Sequence, residues 1–219
     1  MKENIIKNVE KVMEILERYF QYTERTTLNR MRNQDPFKIL ISCLLSLRTK
    51  DENTERVVEK LFKFVKGPQD IVKMPTKKLE KIIYSSGFYK RKAKILKHVS
   101  KVILEKYRGK VPSSKEDLLS IKGIGPKTAN IVLAFAYGKN VLPIDTHCHR
   151  IANRLGWIKT KTPEQTEKAL EKILPKKYWR EFNAIFVLFG KTICKPTSPL
   201  CSKCPVRNYC ERNGVKKSR

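Results

Sequence analysis

Nowhere does this chain carry an uninterrupted apolar run long enough to suggest a membrane span. The N-terminus, MKENIIKNVEKVMEILERYF, does not read as a signal peptide, because charges interrupt it throughout and its pattern is that of an amphipathic helix. Strand-like alternation of apolar and polar residues is missing as well, which leaves an all-α, all-helical fold as the expectation. Acid is scarce: 21 Asp plus Glu stand against 48 Lys plus Arg, a formal net charge of +27 with a pI near 10. Such an excess favours a polyanionic partner, whose binding would fall steeply with salt as phosphates are neutralised. A translation factor, or a general lysine bias of the source, also fits that charge. At 219 residues the chain can bury a sizeable core, as one large domain or two small ones.

Six cysteines would be enough for disulfides, but four of them crowd into residues 194 to 210, which in a cytosolic chain points to metal instead. Cys194, Cys201, Cys204 and Cys210 are spaced x6, x2, x5 in a loop that also holds Pro196, Pro199 and Pro205. The loop has too little apolar surface to order itself, so ligation must hold it. A zinc site would show two short knuckles, and only Cys201 to Cys204 is one. Four thiolates on a compact loop also suit a cubane iron-sulfur cluster. Spacing leaves both open. Cys43 and Cys148 read as buried or neutral thiols.

In chain order, residues 3 to 21 place Ile6, Val9, Met13, Leu16 and Phe20 on one stripe, a face that needs a distant partner. Thr26 to Gln34 reads as a polar connector. Asp35-Pro36 opens a very apolar helix, Phe37 to Leu47, expected at the centre of a bundle, and Asp51 opens another that runs through Phe64. Pro68 to Tyr84 reads as two short pieces broken at Met74-Pro75-Thr76. The turn Ser85 to Lys92 follows, with two aromatics against three cations, and leads into a long helix that ends near Tyr107. Of Phe88 and Tyr89, one is expected to be buried and the other exposed, since an apolar wedge beside basic residues can unstack bases. Later helices are expected from Lys115 to Ser120, from Thr162-Pro163 to Leu174, and from Tyr178 to Thr192.

The stretch LSIKGIGPKTANIVLAFAYGKNVLPIDTHCHR, residues 119 to 150, organises the rest. Gly123 and Gly125 permit backbone angles and close approaches that a Cβ would block. Pro126 suits a first helical turn, and the free N–H groups there form a ready phosphate site. Lys127 follows in that turn, and Asp145 reads as the N-cap of a helix through Arg150 and Leu155.

Leu118 to Ala129, with Ile121 and Lys122 in place of a Leu and a Pro, followed by Asp145-Thr146-His147, resembles the signature of the helix-hairpin-helix DNA glycosylases. The cysteine run is similar in every interval to the cluster loop of the endonuclease III family, and the resemblance covers essentially the whole chain. It implies a six-helix barrel domain over 29–139 with its hairpin at 115–139. A discontinuous domain of 1–28 plus 140–219 would carry a [4Fe-4S] cluster on Cys194, Cys201, Cys204 and Cys210, with a DNA-binding cleft between the two. Damaged double-stranded DNA is the implied partner, bound by a monomer that is cytoplasmic and associated with the nucleoid.

The resemblance further implies a bifunctional glycosylase and abasic-site lyase for oxidised pyrimidines such as thymine glycol. Lys127 would attack the sugar C1′ and Asp145 would stabilise cationic character there. Gly123, Ile124, Gly125 and Lys127 would grip the backbone, and Lys195, Lys203 and Arg207 would touch phosphate. Phe88 matches the inserting position, and Arg48 stands where a glutamine usually fills the gap. His147 is expected to order the Asp145 helix start. A uracil or T:G mismatch glycosylase on the same scaffold is the alternative among enzymes. A non-enzymatic hairpin module with a zinc clasp is the alternative of another class.

Overall fold

The computed structural model describes residues 2–23 and 34–219. The connector expected from Thr26 to Gln34 therefore lies, Gln34 apart, outside the described residues, as does the expected boundary at 28/29. Every element of regular structure among the described residues is helical. Packing divides the chain into two compact units, Met1–Arg25 with Asn140–Arg219, and Thr26–Lys139.

In the discontinuous unit, α1 (Lys2–Phe20) buries Val9, Val12, Met13, Leu16 and Phe20. Ile6, expected on the same stripe, is only half-buried, and Val12 completes the face instead. Its partners come from the other end of the chain: α9 (Thr146–Leu155), α10 (Pro163–Leu170) and α11 (Lys176–Thr192). They contribute Ile151, Leu155, Leu170, Phe182, Phe186 and Phe189 to one core. Phe182 and Phe186 stack with centroids 4.1 Å apart. Asn8 ties the ends together, since it accepts from Trp157 Nε1 at 2.9 Å and donates to the Tyr209 carbonyl at 3.3 Å. The distant partner demanded by the amphipathic first helix is thus the C-terminal third. The helix expected to reach Leu174 ends at Leu170, and a tight turn carries the chain to Pro175, ahead of which helical geometry is disfavoured.

In the unit Thr26–Lys139, the central helix α2 (Pro36–Ser46) buries all of Ile39 to Leu45. Asp35 caps it by accepting from Lys38 N at 2.9 Å. Around it pack α3 (Asp51–Phe62), α6 (Tyr89–Tyr107) and α8 (Pro126–Ala136), while α4 (Pro68–Lys73) and α5 (Thr76–Ile82) lean on α6. α7 (Lys115–Ser120) packs on α8 and completes the hairpin. Asp51 is not the cap of α3. Lys50 holds that position without a side-chain bond, and Asp51 is the first helical residue, where its charge complements the helix dipole. α3 stops at Phe62, two residues before Phe64, which is exposed beneath the Lys78 ammonium 5.6 Å from its ring centroid.

Candidate functional site

The hairpin is built by local bonds. Ser114 caps α7 by accepting from Asp117 N at 3.0 Å, Ile121 and Ile124 turn inward, and Ile124 N donates to Ile121 O at 3.0 Å. Gly123 has φ +107, and a Cβ there would come within 2.9 Å of Ile95 Cγ2, so both backbone and packing require glycine. Gly125 is different. Its φ of −95 suits any residue and a Cβ would meet nothing within 4 Å, so the expectation that the chain itself needs glycine at both positions fails there. What Gly125 leaves open is the approach to the first turn of α8.

Pro126 and Lys127 are the first two residues of that helix, at its positive end. Lys127 is half-buried rather than a solvated surface lysine. Beside it, the fully buried Cys43 thiol donates to Thr128 Oγ1 at 3.7 Å. Burial raises the pKa of that thiol, and the Lys127 ammonium works in the opposite direction, which places the charge within Coulombic reach of Cys43.

In the other unit, Asp145 is 8% exposed and caps α9, its Oδ1 accepting from His147 N and Cys148 N, both at 2.9 Å. Two N–H donors at a helix N-terminus suit a carboxylate anion and fix its orientation. His147 takes part in the helix start through its backbone. Its ring lies against Gly190, where a Cβ would sit 2.3 Å from Nδ1, and 3.3 Å from Arg150 Nη2. His149 turns to Thr166 Oγ1 at 2.7 Å.

Two arginines that sequence reading left unassigned anchor the cysteine loop to α9. Arg150 donates to the carbonyls of Gly190 at 3.3 Å and Cys194 at 2.8 Å. Arg154, 8% exposed, donates to the Lys195 and Pro196 carbonyls, each at 2.7 Å, and lies 3.5 Å from Cys194 Sγ. Their spacing of four residues, on the face of the helix that carries Ile151, was the signal available. Cys194, Cys201, Cys204 and Cys210 all line one pocket, walled by apolar side chains that include Ile151, Phe189 and Val206. Burial, before the neighbouring cysteines, pushes the Cys204 thiol up to about 11 and raises that of Cys210. Arg212 N donates to Cys210 Sγ at 3.3 Å. Of the loop cations, Lys203 and Arg207 are exposed and Lys195 is half-buried.

The structure also brings Arg48 and Phe88 together, the guanidinium carbon 5.7 Å from the ring centroid. Phe88 is 61% exposed, whereas Tyr89 is half-buried against Tyr84 with centroids 4.9 Å apart.

Residues 41–176 match HhH-GPD, the HhH-GPD superfamily base excision DNA repair protein. Endonuclease III of Thermotoga maritima is 49% identical over 180 residues, which span 82% of this chain and 84% of the relative. Endonuclease III of Bacillus subtilis is 35% identical over 188 residues, 85% of each. Among solved structures, a non-covalent endonuclease III–DNA complex matches with a TM-score of 0.86 at 30% identity, over 97% of this chain and 96% of that one. A thermostable thymine-DNA glycosylase matches with a TM-score of 0.84 at 26% identity, over 94% and 96%. With hairpin, capped aspartate and cysteine loop all in place, the chain belongs to the HhH-GPD superfamily of base excision DNA repair proteins and, within it, to the endonuclease III family of DNA glycosylase/AP lyases.

Proposed function

We propose that this glycosylase and lyase removes oxidised pyrimidines such as thymine glycol from double-stranded DNA and nicks the abasic sites it leaves. A stacked base shields its glycosidic bond, so the nucleotide must first be turned out of the duplex, at a cost of a few kcal/mol. Phe88 enters the stack as a wedge and Arg48 reaches toward the base left behind. The N–H groups of Gly123, Gly125 and Lys127 hold the phosphates, a role to which the open space at Gly125 lends support. Lys195, Lys203 and Arg207 add cationic contacts.

The neutral amine of Lys127 attacks C1′. The glycosidic electron pair leaves with the base, which takes up a proton, and the sugar opens to an imine on Lys127. Loss of a C2′ proton then expels the 3′ phosphate and breaks the strand. Asp145 stabilises positive charge at C1′ and relays protons. The half-buried Lys127 in the first turn of α8 is the observation that carries this reading, because removal of a base by water alone needs no amine there.

The match to a thymine-DNA glycosylase supports a second reading, with uracil or T:G mismatches as substrates. One experiment separates them: duplexes that carry thymine glycol, uracil, T:G, 8-oxoguanine or an abasic site are incubated with the protein, and base loss is scored apart from strand scission. Thymine glycol removed fastest, with scission that keeps pace, is the expected result. Uracil or T:G loss without scission would transfer the proposal to the second reading.

The cysteine pocket fits a [4Fe-4S] cluster. Four sulfurs share one pocket with apolar walls, where thiolates need a cationic group to offset their charge, and N–H donors already face Cys194 and Cys210. Cys194, Cys201, Cys204 and Cys210 would hold the cluster, which orders the loop and supplies no chemistry to the steps above. Cys204→Ala is expected to yield colourless protein without bound iron and a Tm lower by about 10 °C, the scale on which a few kcal/mol shifts a chain of this size. Iron analysis and thermal unfolding check both. A brown variant that unfolds with the wild type would remove Cys204 from the ligand set.

A further inference from the structure

Lys92 occupies a place that none of the chemistry above uses. It lies in the first turn of α6, is 6% exposed, and donates from Nζ to the Leu45 carbonyl at 2.6 Å and to Thr49 Oγ1 at 2.6 Å. Neither partner carries a charge. Leu45 O belongs to the last turn of α2, the negative end of that helix, which is the favourable element of the site. Burial pulls the Lys92 pKa down to about 8. A buried ammonium without a carboxylate disfavours folding, so its presence calls for another use.

Its two bonds bracket Arg48 and reach it from the turn that carries Phe88. Lys92 N donates to Phe88 O, the carbonyl just ahead of α6, at 3.0 Å. Arg48 and Phe88 both adopt left-handed backbone angles, φ 54 and φ 61, which persist only where their surroundings impose them. The backbones approach closely between them: a Cβ on Gly87 would stand 2.8 Å from Arg48 O. The two segments therefore lie side by side at Gly87, meet at the tips through the cation over the ring, and are bonded at the base by the Lys92 ammonium.

We propose that Lys92 is a positioning residue that holds the Arg48 and Phe88 segments as one two-pronged wedge, so that turning a nucleotide out of a duplex depends on it. The chemistry on a sugar already free does not. This inference rests on the roles given above to Arg48 and Phe88.

The test compares one abasic oligonucleotide, paired and single-stranded, with a 2-aminopurine beside the lesion in the duplex to report unstacking. Lys92→Met keeps the unbranched stem and removes the ammonium. It is expected to lose about tenfold in kcat/KM on the duplex and less than about twofold on the single strand, with the 2-aminopurine signal slowed in step. Its Tm should hold or rise, because an apolar replacement of a buried ion is often neutral or stabilising. Thr49→Val, which breaks one bond and leaves Lys92 in place, should lose about threefold on the duplex alone, and the double variant should be no worse than Lys92→Met. Should Lys92→Met fail to fold, Thr49→Val decides the matter. Parallel losses on both substrates, or undiminished duplex cleavage and unstacking, would overturn the inference. Wild-type protein that cuts neither substrate would instead overturn the lyase reading beneath it.

Discussion

Lys127→Ala should leave no DNA-linked protein after borohydride treatment, and strand scission at an abasic site should fall by at least about 10³-fold. The size follows from what the amine does. In the proposed mechanism it is the nucleophile that makes the imine, and without the protonated imine the C2′ proton is far less acidic, so only the slow elimination from the free aldehyde remains. Folding should be unaffected, because Lys127 is half-buried in the first turn of α8 and alanine is a good helix former there. Binding to an abasic duplex should weaken only slightly, since one positive charge is lost from a net of +27. Gel trapping, scission kinetics and a binding titration read these quantities separately. Trapping at the wild-type level would assign the nucleophile to another amine.

Asp145→Asn should slow base release by about 10²-fold, the usual cost of removing one group that stabilises charge in the transition state. The substitution is well suited to isolate charge. Asparagine is as good an N-cap as aspartate, and its side-chain oxygen retains the geometry to accept from His147 N and Cys148 N. The start of α9 and the core behind it should therefore stand, with the Tm within a few degrees of wild type. Scission of a preformed abasic site should fall less than base release does, because the leaving base is absent from that step. Equal losses in both, or a collapse in Tm, would make Asp145 a structural cap rather than a participant.

Much of this was legible in the residues because it depends on local spacing. The stripe on α1, Ile6 apart, the apolar run of α2 and the capping aspartate at 145 are statements about neighbours three or four positions apart, and they appear where spacing puts them. The four cysteines could be grouped for the same reason. Helix ends were less legible: Leu170 and Phe62 end their helices before the apolar pattern does, because the turns beyond them are set by Pro175 and by Gly67-Pro68.

Contacts between remote segments were not legible. Nothing near Lys92 in the chain announces that its ammonium ends at Leu45 and Thr49 rather than in water, and in a chain with 48 Lys plus Arg a single buried one carries no mark. Arg154 likewise meets the Lys195 and Pro196 carbonyls only because α9 lies beside the cysteine loop. The two hairpin glycines look alike in sequence. They differ because Ile95 stands over Gly123 and nothing stands over Gly125. A resemblance to a family supplied the role proposed for Asp145, which on its own reads as an ordinary cap.

The nucleophile can be identified directly. Wild-type protein is trapped on an abasic duplex with borohydride, digested with protease, and the peptide that retains the reduced sugar is sequenced by mass spectrometry. The modified residue should be Lys127, inside the peptide that reads Gly123-Ile124-Gly125-Pro126-Lys127-Thr128-Ala129-Asn130. A sugar found on the N-terminal amine, on Lys122 or on any other lysine would contradict the assignment on which the chemistry depends.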